Sequence, residues 1–248
     1  MNEWDNFQTI ETMHKPSVEM VDEGLRSYMI KVFNYMGGSL FLAGLVAYLF
    51  ANTGLNMMMY NIDYQAQTAS VSAFGWLVML APLAMIFAFN YVLSRKSVAA
   101  VQAVFWLFSA LEGASLSYIF LLYTNSSITR VFFIAAITFA GMGLLGYSTK
   151  RDLSKLRSYL YMGLLGLIVA MLVNIFMKST GFDYILSIVG VLLFTGLTAA
   201  DMQNIKMMYY HQDSDDTTSR KAIAGALSLY LDFINLFVML LRIMGDRR

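Results

Sequence analysis

The 248-residue sequence contains no cysteine, which excludes disulfides, thiol catalysis and cysteine-ligated metal sites. Its only two histidines, His14 and His211, lie in polar stretches, so a serine–histidine–aspartate hydrolase is not expected. Charge is also scarce: 13% of residues are charged, against about 25% in ordinary soluble domains. The formal net charge of +1 argues against nucleic acid as a partner. We expect a protein that is not an enzyme.

Apolar residues, in contrast, make up 58% of the chain and are concentrated in seven segments of about 20 residues, the length that crosses a ~30 Å hydrocarbon layer. Apolar runs of this length must be helices, because lipid cannot satisfy exposed backbone polar groups. We predict an all-α polytopic membrane protein with a polar tail at residues 1–30 and a transmembrane domain at 31–248. The predicted spans are 31–51, 74–93, 98–122, 129–147, 158–178, 184–205 and 221–243.

The distribution of basic residues predicts a cytoplasmic N-terminus, because loops on the cytoplasmic side are enriched in Lys and Arg. With that orientation, 12 basic residues lie inside and 5 lie outside. The inside set is Lys15, Arg26, Lys31, Arg95, Lys96, Lys150, Arg151, Lys155, Arg157, Lys206, Arg220 and Lys221; the outside set is Arg130, Lys178, Arg242, Arg247 and Arg248. Three of the outside residues follow or end the seventh segment, so a re-entrant last segment is the alternative to a full span.

Three carboxylates lie inside the predicted spans: Glu112, Asp201 and Asp232. Ionisable residues at membrane depth are costly, and each is therefore a candidate functional residue. Polar side chains accompany the aspartates at helical spacing: Thr198 precedes Asp201 by three residues, and Ser228 and Asn235 bracket Asp232. Because residues three or four apart share a helix face, these spans carry polar stripes that point into the bundle. An ion pathway past Glu112, Thr198, Ser228 and Asn235 is the functional interpretation.

The two aspartates are predicted to lie near one another. At 1.5 Å per residue, Asp201 lies about 5 Å and Asp232 about 16 Å from the inner edge, so a tilt or a late start of the seventh span brings them together. Two carboxylates in contact share a proton or bind a cation or an arginine between them. Calcium suits such oxygen ligands, and Arg95 is the nearest plausible arginine. Alternatively, the acids are protonated and only tie helices together.

Another segment, Gly141-Met-Gly-Leu-Leu-Gly146, matches the G-x-G-x-x-G pattern of dinucleotide-binding loops. The match lies inside an apolar span with no preceding strand, so we do not interpret it as a nucleotide site. Small residues within a span instead allow neighbouring helices to approach closely.

Three segments, GALSLYLDFINLFVMLLRIMG, FTGLTAADMQNIK and SALEGASLSYIF, resemble the signature segments of the Bax inhibitor-1 family, the transmembrane Bax inhibitor motif proteins. The basic linker GYSTKRDLSKL is similar to that of the family's bacterial inner-membrane members. The resemblance covers residues 25–248.

The resemblance implies seven helices, with six surrounding a central seventh, and a pH-sensitive calcium leak pathway with calcium as the transported or bound ion. It implies that Asp201 and Asp232 form the proton sensor and gate, with Arg95 as the latch partner, and it places Glu112 at the family's E-G position. It also implies a second function, an interaction protein that modulates a membrane-bound quality-control protease without transport. The polar N-terminal tail, which is not part of the resemblance, supplies the handle for this alternative in residues 1–25.

Overall fold

The computed structural model describes residues 18–63 and 68–248, and within them seven helices are long and apolar enough to cross a bilayer. Two short helices and an antiparallel hairpin, in which Tyr60 faces Val71, complete the connections. This confirms the predicted all-α polytopic membrane protein. The elements are α1 (Val18–Asn52), α2 (Leu55–Met59), β1 (Tyr60–Asp63), β2 (Thr68–Val71), α3 (Ala73–Arg95), α4 (Val98–Ser115), α5 (Tyr118–Leu122), α6 (Asn125–Ser148), α7 (Ser154–Met177), α8 (Thr180–Met208) and α9 (Asp215–Met244).

Helix α1 begins at Val18, well before the predicted boundary at residue 31. Residues 18–30, which the sequence assigned to a polar tail, are therefore the first turns of a continuous helix. The polar composition of these residues disguised the helix, because its first turns extend beyond the apolar run. The remainder of the predicted tail, residues 1–17, lies outside the described residues, and so does most of the proposed protease handle.

Hydroxyl side chains cap the starts of five of these helices. In each, the oxygen of the residue before the helix accepts a hydrogen bond from a backbone N–H in the first turn, which satisfies one of the donors that a helix start leaves unpaired. The capping residues and their donors are Ser72 with Gly75, Ser97 with Ala100, Thr124 with Ser127, Ser179 with Phe182 and Ser214 with Thr217.

Apolar side chains cover the outside of the bundle. On α7, for example, Phe176 is 87% exposed and Leu165 is 65% exposed. Such contiguous apolar exposure is costly in water and ordinary in lipid. The surface is therefore that of a protein in contact with the bilayer.

Helix α9 is the most buried of the seven, and it packs against α1, α4, α6 and α8. Helix α3 packs on α4, and α7 packs on α8. The central position of the seventh span thus agrees with these contacts in part, while the complete ring of six around it stays a prediction.

Glycines allow the closest helix contacts in the bundle. A Cβ at Gly146 of α6 would collide with the backbone carbonyl of Ala199 on α8, and one at Gly113 of α4 would collide with the backbone of Ala43 on α1. The prediction that small residues in the 141–146 segment permit close approach is confirmed at Gly146. At Gly141, in contrast, an added Cβ meets nothing within 4 Å.

The chain ends at the opposite end of the bundle from where α1 begins. The amide of Thr124, at the start of α6, donates to the Asp246 carbonyl at 3.1 Å, and the Arg248 amide donates to the Leu122 carbonyl at 2.9 Å. Helix α9 runs unbroken between the two ends, which favours a full seventh span over the re-entrant alternative. We call these the N-terminal end and the C-terminal end of the bundle.

Candidate functional site

The site is centred on Asp201 of α8, near the N-terminal end of the bundle, where its side chain is only 2% exposed. One carboxylate oxygen accepts a hydrogen bond from Nε of Arg157 at 2.6 Å, and the other accepts from the hydroxyl of Tyr161 at 3.0 Å. A buried carboxylate is tolerated when it is paired and its oxygens are hydrogen-bonded. Both conditions are met at Asp201.

Both donors come from one face of α7. Arg157 and Tyr161 are one helical turn apart, a spacing that places two side chains side by side. The guanidinium carbon of Arg157 also lies 5.1 Å from the centre of the Tyr161 ring, within the range of a cation–π contact. The two side chains therefore form a preassembled clasp around the Asp201 carboxylate, which joins α7 to α8.

Gln203, two residues beyond Asp201, fixes the loop that leads into α7. Its side-chain oxygen accepts from the Leu153 amide at 2.8 Å, and its side-chain nitrogen donates to the Arg151 carbonyl, also at 2.8 Å. Both bonds involve loop backbone, so their geometry does not depend on the loop side chains. Gln203 thereby positions the start of the helix that carries Arg157.

The same loop contains Asp152, an exposed residue outside the spans. One of its carboxylate oxygens accepts a hydrogen bond from the Ser154 amide at 2.8 Å. The side-chain and backbone hydrogen bonds from Ser154 lower the pKa of Asp152 below its usual value. Asp152 is therefore ionised at neutral pH. Its hydrogen bond from the Ser154 amide holds the start of α7, in addition to the two bonds that Gln203 makes with the backbone of the preceding loop.

Asp232 of α9 is buried, and its Oδ2 has no hydrogen-bond partner among the described residues. It lies within electrostatic reach of both Asp201 and Arg157. The structure thus brings the two predicted aspartates into one neighbourhood, although no hydrogen bond between their carboxyls occurs in the described part of the chain. Two acids share one arginine, so with both acids ionised this cluster carries one uncompensated negative charge.

The polar companions of the aspartates are partly satisfied by their own helices. The Thr198 hydroxyl donates to the Phe194 carbonyl at 2.7 Å, and the Asn235 side chain donates to the Leu231 carbonyl at 2.8 Å. Ser228 is half-buried, as is Asn235, whereas Asp232 is buried. Within the predicted polar stripe on α9, Ser228 and Asn235 are therefore more accessible than Asp232.

Glu112 of α4 belongs to a second polar cluster. It is half-buried and lies within electrostatic reach of Tyr118 and Tyr230. Nearby, at the C-terminal end, Arg242 donates to Asp183 at 3.3 Å. A cavity of about 240 Å³ lies beside this ion pair, with Tyr118, Asp183 and Arg242 in its wall. Glu112 is thus separate from the Asp201 site, as its predicted depth in the other half of the membrane requires.

Comparison with known proteins gives a family. A sequence profile of the family described as "Inhibitor of apoptosis-promoting Bax1" matches residues 25–248. The chain is a member of the Bax inhibitor-1 family. An uncharacterized protein of Rickettsia prowazekii is 42% identical over 98% of this chain and 99% of its own length. The inner membrane protein YbhL of Escherichia coli is 40% identical over 98% of this chain and 100% of its own length. An uncharacterized protein of Borreliella burgdorferi is 42% identical over 89% of this chain and 92% of its own length.

In this family member, the arginine that contacts Asp201 is Arg157, and the sequence-predicted latch partner Arg95 lies elsewhere. Arg95 is exposed at the end of α3, and its guanidinium carbon lies 5.5 Å from the centre of the Tyr91 ring. In the sequence-based prediction, Arg157 is only one of the basic residues that orient the chain. Its spacing of four residues from Tyr161 places both side chains on one face of a helix, but the spacing does not show that this face meets Asp201.

The predicted calcium site at the aspartate pair has no cluster of metal-ligating side chains among the described residues. Residues 18–63 and 68–248 contain no cluster of three or more histidine, aspartate or glutamate side chains able to hold a metal ion. Around Asp201, the guanidinium of Arg157 and the hydroxyl of Tyr161 occupy the positions from which a cation would be bound. Calcium at this pair therefore stays a prediction.

Proposed function

We propose that this Bax inhibitor-1 family member is a proton-sensitive cation leak pathway with calcium as the transported ion, rather than an enzyme. Asp201 with its clasp acts as the latch, and the Asp201–Asp232 pair acts as the proton sensor. The observation that carries the proposal is the buried Asp201 carboxylate, held by Arg157 and Tyr161 beside a buried Asp232 whose Oδ2 has no partner among the described residues.

The charge balance of this cluster makes it sensitive to protons. Arg157 is attracted to Asp201 only while that carboxylate is ionised, and the ionised form of Asp232 competes for the same guanidinium. Adding a proton to Asp201 removes the charge that holds α7 to α8 and weakens both hydrogen bonds. A buried pair of this kind is a two-state element that pH biases. Acidification is therefore expected to release the latch and increase the leak.

Helix α9 supplies a polar wall for the pathway. Its half-buried face includes four polar residues spaced seven apart, a spacing that keeps them on one side of the helix. Lys221 and Arg242 lie at the two ends of this line. Ser228 and Asn235 lie in its middle, before and after Asp232 in the helix. In this proposal the cation passes along the middle of the line when the latch is open.

The proposal places the protein in a bacterial inner membrane with a cytoplasmic N-terminus. Two observations support this placement. The relative YbhL is an inner membrane protein by name. The basic residues favour the cytoplasmic orientation by 12 to 5. The Asp201 latch then faces the cytoplasmic half of the membrane and responds to cytoplasmic pH.

Calcium efflux from proteoliposomes containing the full chain tests the proposal across the range from about pH 5 to about pH 8. The wild-type leak is expected to rise as pH falls. Asp201→Asn imitates the neutral carboxyl, so its leak should be high and independent of pH. Asp232→Asn removes the negative charge that competes with Asp201 for Arg157 and so strengthens the latch; its leak should rise only at lower pH than in the wild type.

Asp216→Asn is the matched control, because Asp216 is an exposed acid at the same end of the bundle and lies in the first turn of α9. It should keep the wild-type pH profile. The proposal is overturned if the wild type leaks no faster than protein-free vesicles, or if both site variants retain the wild-type response to pH.

A further inference from the structure

A groove opens on the bilayer-facing side of the bundle between α1 and α6. Both helices pack against α9, and at the N-terminal end a cavity of about 550 Å³ separates them. Its floor includes Met202 of α8, and its walls are almost entirely apolar. The apolar lining includes Ile30 and Phe33 on α1, Ala140 and Leu144 on α6, and Met202 on α8.

The groove is short and open to the bilayer. Along α1 its lining runs from Arg26 to Phe33, about 10 Å at 1.5 Å per residue, which is about two helical turns. Ile30, Phe33 and Leu144 of the lining are also exposed on the apolar outer surface. The hydrocarbon chain of a surrounding lipid can therefore enter the groove from the bilayer.

Positive charge marks one end of the groove. Arg26 is exposed and belongs to the lining, as does Tyr147. Lys206 donates to the Tyr147 carbonyl at 3.0 Å, and its ammonium group lies 4.5 Å from the centre of the Tyr147 ring. Two basic side chains and an aromatic ring thus lie at the end of an apolar groove. This is the arrangement that suits a phosphate headgroup at a membrane surface above its acyl chain.

We propose that the groove between α1 and α6 is a binding site for one anionic glycerophospholipid. Its acyl chain lies along Phe33, Ala140 and Met202, and its phosphate is held by Arg26 and Lys206. The site is independent of the Asp201 latch and of any ion flux. The cause of selectivity is charge, because a zwitterionic lipid offers the same hydrocarbon but adds a cation beside Arg26.

Native mass spectrometry of the purified full chain, with phosphatidylglycerol and phosphatidylcholine in competition, tests the site. The wild type should retain phosphatidylglycerol preferentially. Arg26→Gln should reduce that preference about fivefold, the change expected from one basic residue at an anionic surface. Lys96→Gln is the control for charge, since Lys96 is an exposed basic residue between α3 and α4, and it should leave the preference unchanged.

A second pair of variants tests the hydrocarbon part. Ala140→Leu fills the groove and should lower the retention of both lipids. Gly141→Leu adds a larger side chain one residue along the same helix, where an added Cβ meets nothing within 4 Å, and should change nothing. Equal retention of both lipids by the wild type, or unchanged retention in Arg26→Gln and Ala140→Leu, would overturn the proposal.

The absence of cysteine from the chain permits one further measurement. Ala140→Cys places a single thiol in the groove. In membranes this thiol should be shielded from crosslinking by bound lipid. A disulfide dimer under mild oxidation would assign the groove to a second copy of the chain, and a crosslink to another membrane protein would assign it to that partner. Either product contradicts a lipid occupant.

Discussion

The carboxylate of Asp201 on α8 is bound by Arg157 on α7, with 2.6 Å between Oδ1 and Nε. Arg157 is 32% exposed and its partner is 2% exposed, so the pair lies at the boundary between the interior and the membrane surface. Removing one partner from such a pair leaves the other without its charge compensation, and that loss exceeds the small value of a fully exposed pair.

Arg157→Gln should lower the free energy of unfolding by about 1–3 kcal/mol, since it leaves a buried carboxylate with one hydrogen bond fewer. Asp201→Asn should have a smaller effect, because a neutral amide needs no counter-charge. The double variant should then lose less than the sum of the two single losses, which marks direct coupling. Thermal unfolding in detergent measures all three. Additive losses in this cycle would contradict a direct pair, and Lys155→Gln, an exposed basic residue on the same turn, serves as control.

Gln203→Leu should release the loop between α6 and α7, because it removes the bonds to the Leu153 amide and the Arg151 carbonyl. Each lost bond costs about 1 kcal/mol. Hydrogen exchange at the Leu153 amide gives the direct measurement: protection in the wild type and faster exchange in the variant. Gln203→Glu keeps the acceptor, so it should retain protection at Leu153.

Asn204→Leu is the matched control for the loop, since the Asn204 side chain donates only to the sulfur of Met208 in the described structure. Exchange at Leu153 should be unaffected by it. Equal exchange rates in the wild type and Gln203→Leu would show that the loop does not depend on this side chain.

Gly146→Ala should destabilise the fold by about 1–3 kcal/mol, the usual cost of overpacking, because its Cβ collides with the backbone of Ala199 on α8. Gly141→Ala, in the same helix with open space around its Cβ, should be neutral or stabilising by up to about 1 kcal/mol through helix propensity. Denaturation in mixed micelles compares the two. Similar effects at both positions would mean that α6 and α8 do not make this close contact.

The apolar segments alone predicted the seven helices to within a few residues at most boundaries, since only helices satisfy their backbone in lipid. The largest difference is at the start of α1, where polar residues continue the helix past the apolar run, and α9 also begins six residues before its predicted boundary. Asp201 and Asp232 were recognisable as candidates because a carboxylate at membrane depth is costly wherever it occurs. These predictions need only local composition and the rise of a helix.

The partner of Asp201 was decided by tertiary structure. Arg95 and Arg157 are both basic residues at helix ends on the same side of the predicted membrane, and sequence spacing does not rank them. Only the packing of α7 on α8 brings Arg157 and Tyr161 to the Asp201 carboxylate. Arg95 lies at the end of α3, beside Tyr91. Helical periodicity determines which residues share a face of one helix. Which two faces meet depends on the packing of helices distant in sequence, and that relation belongs to the folded chain.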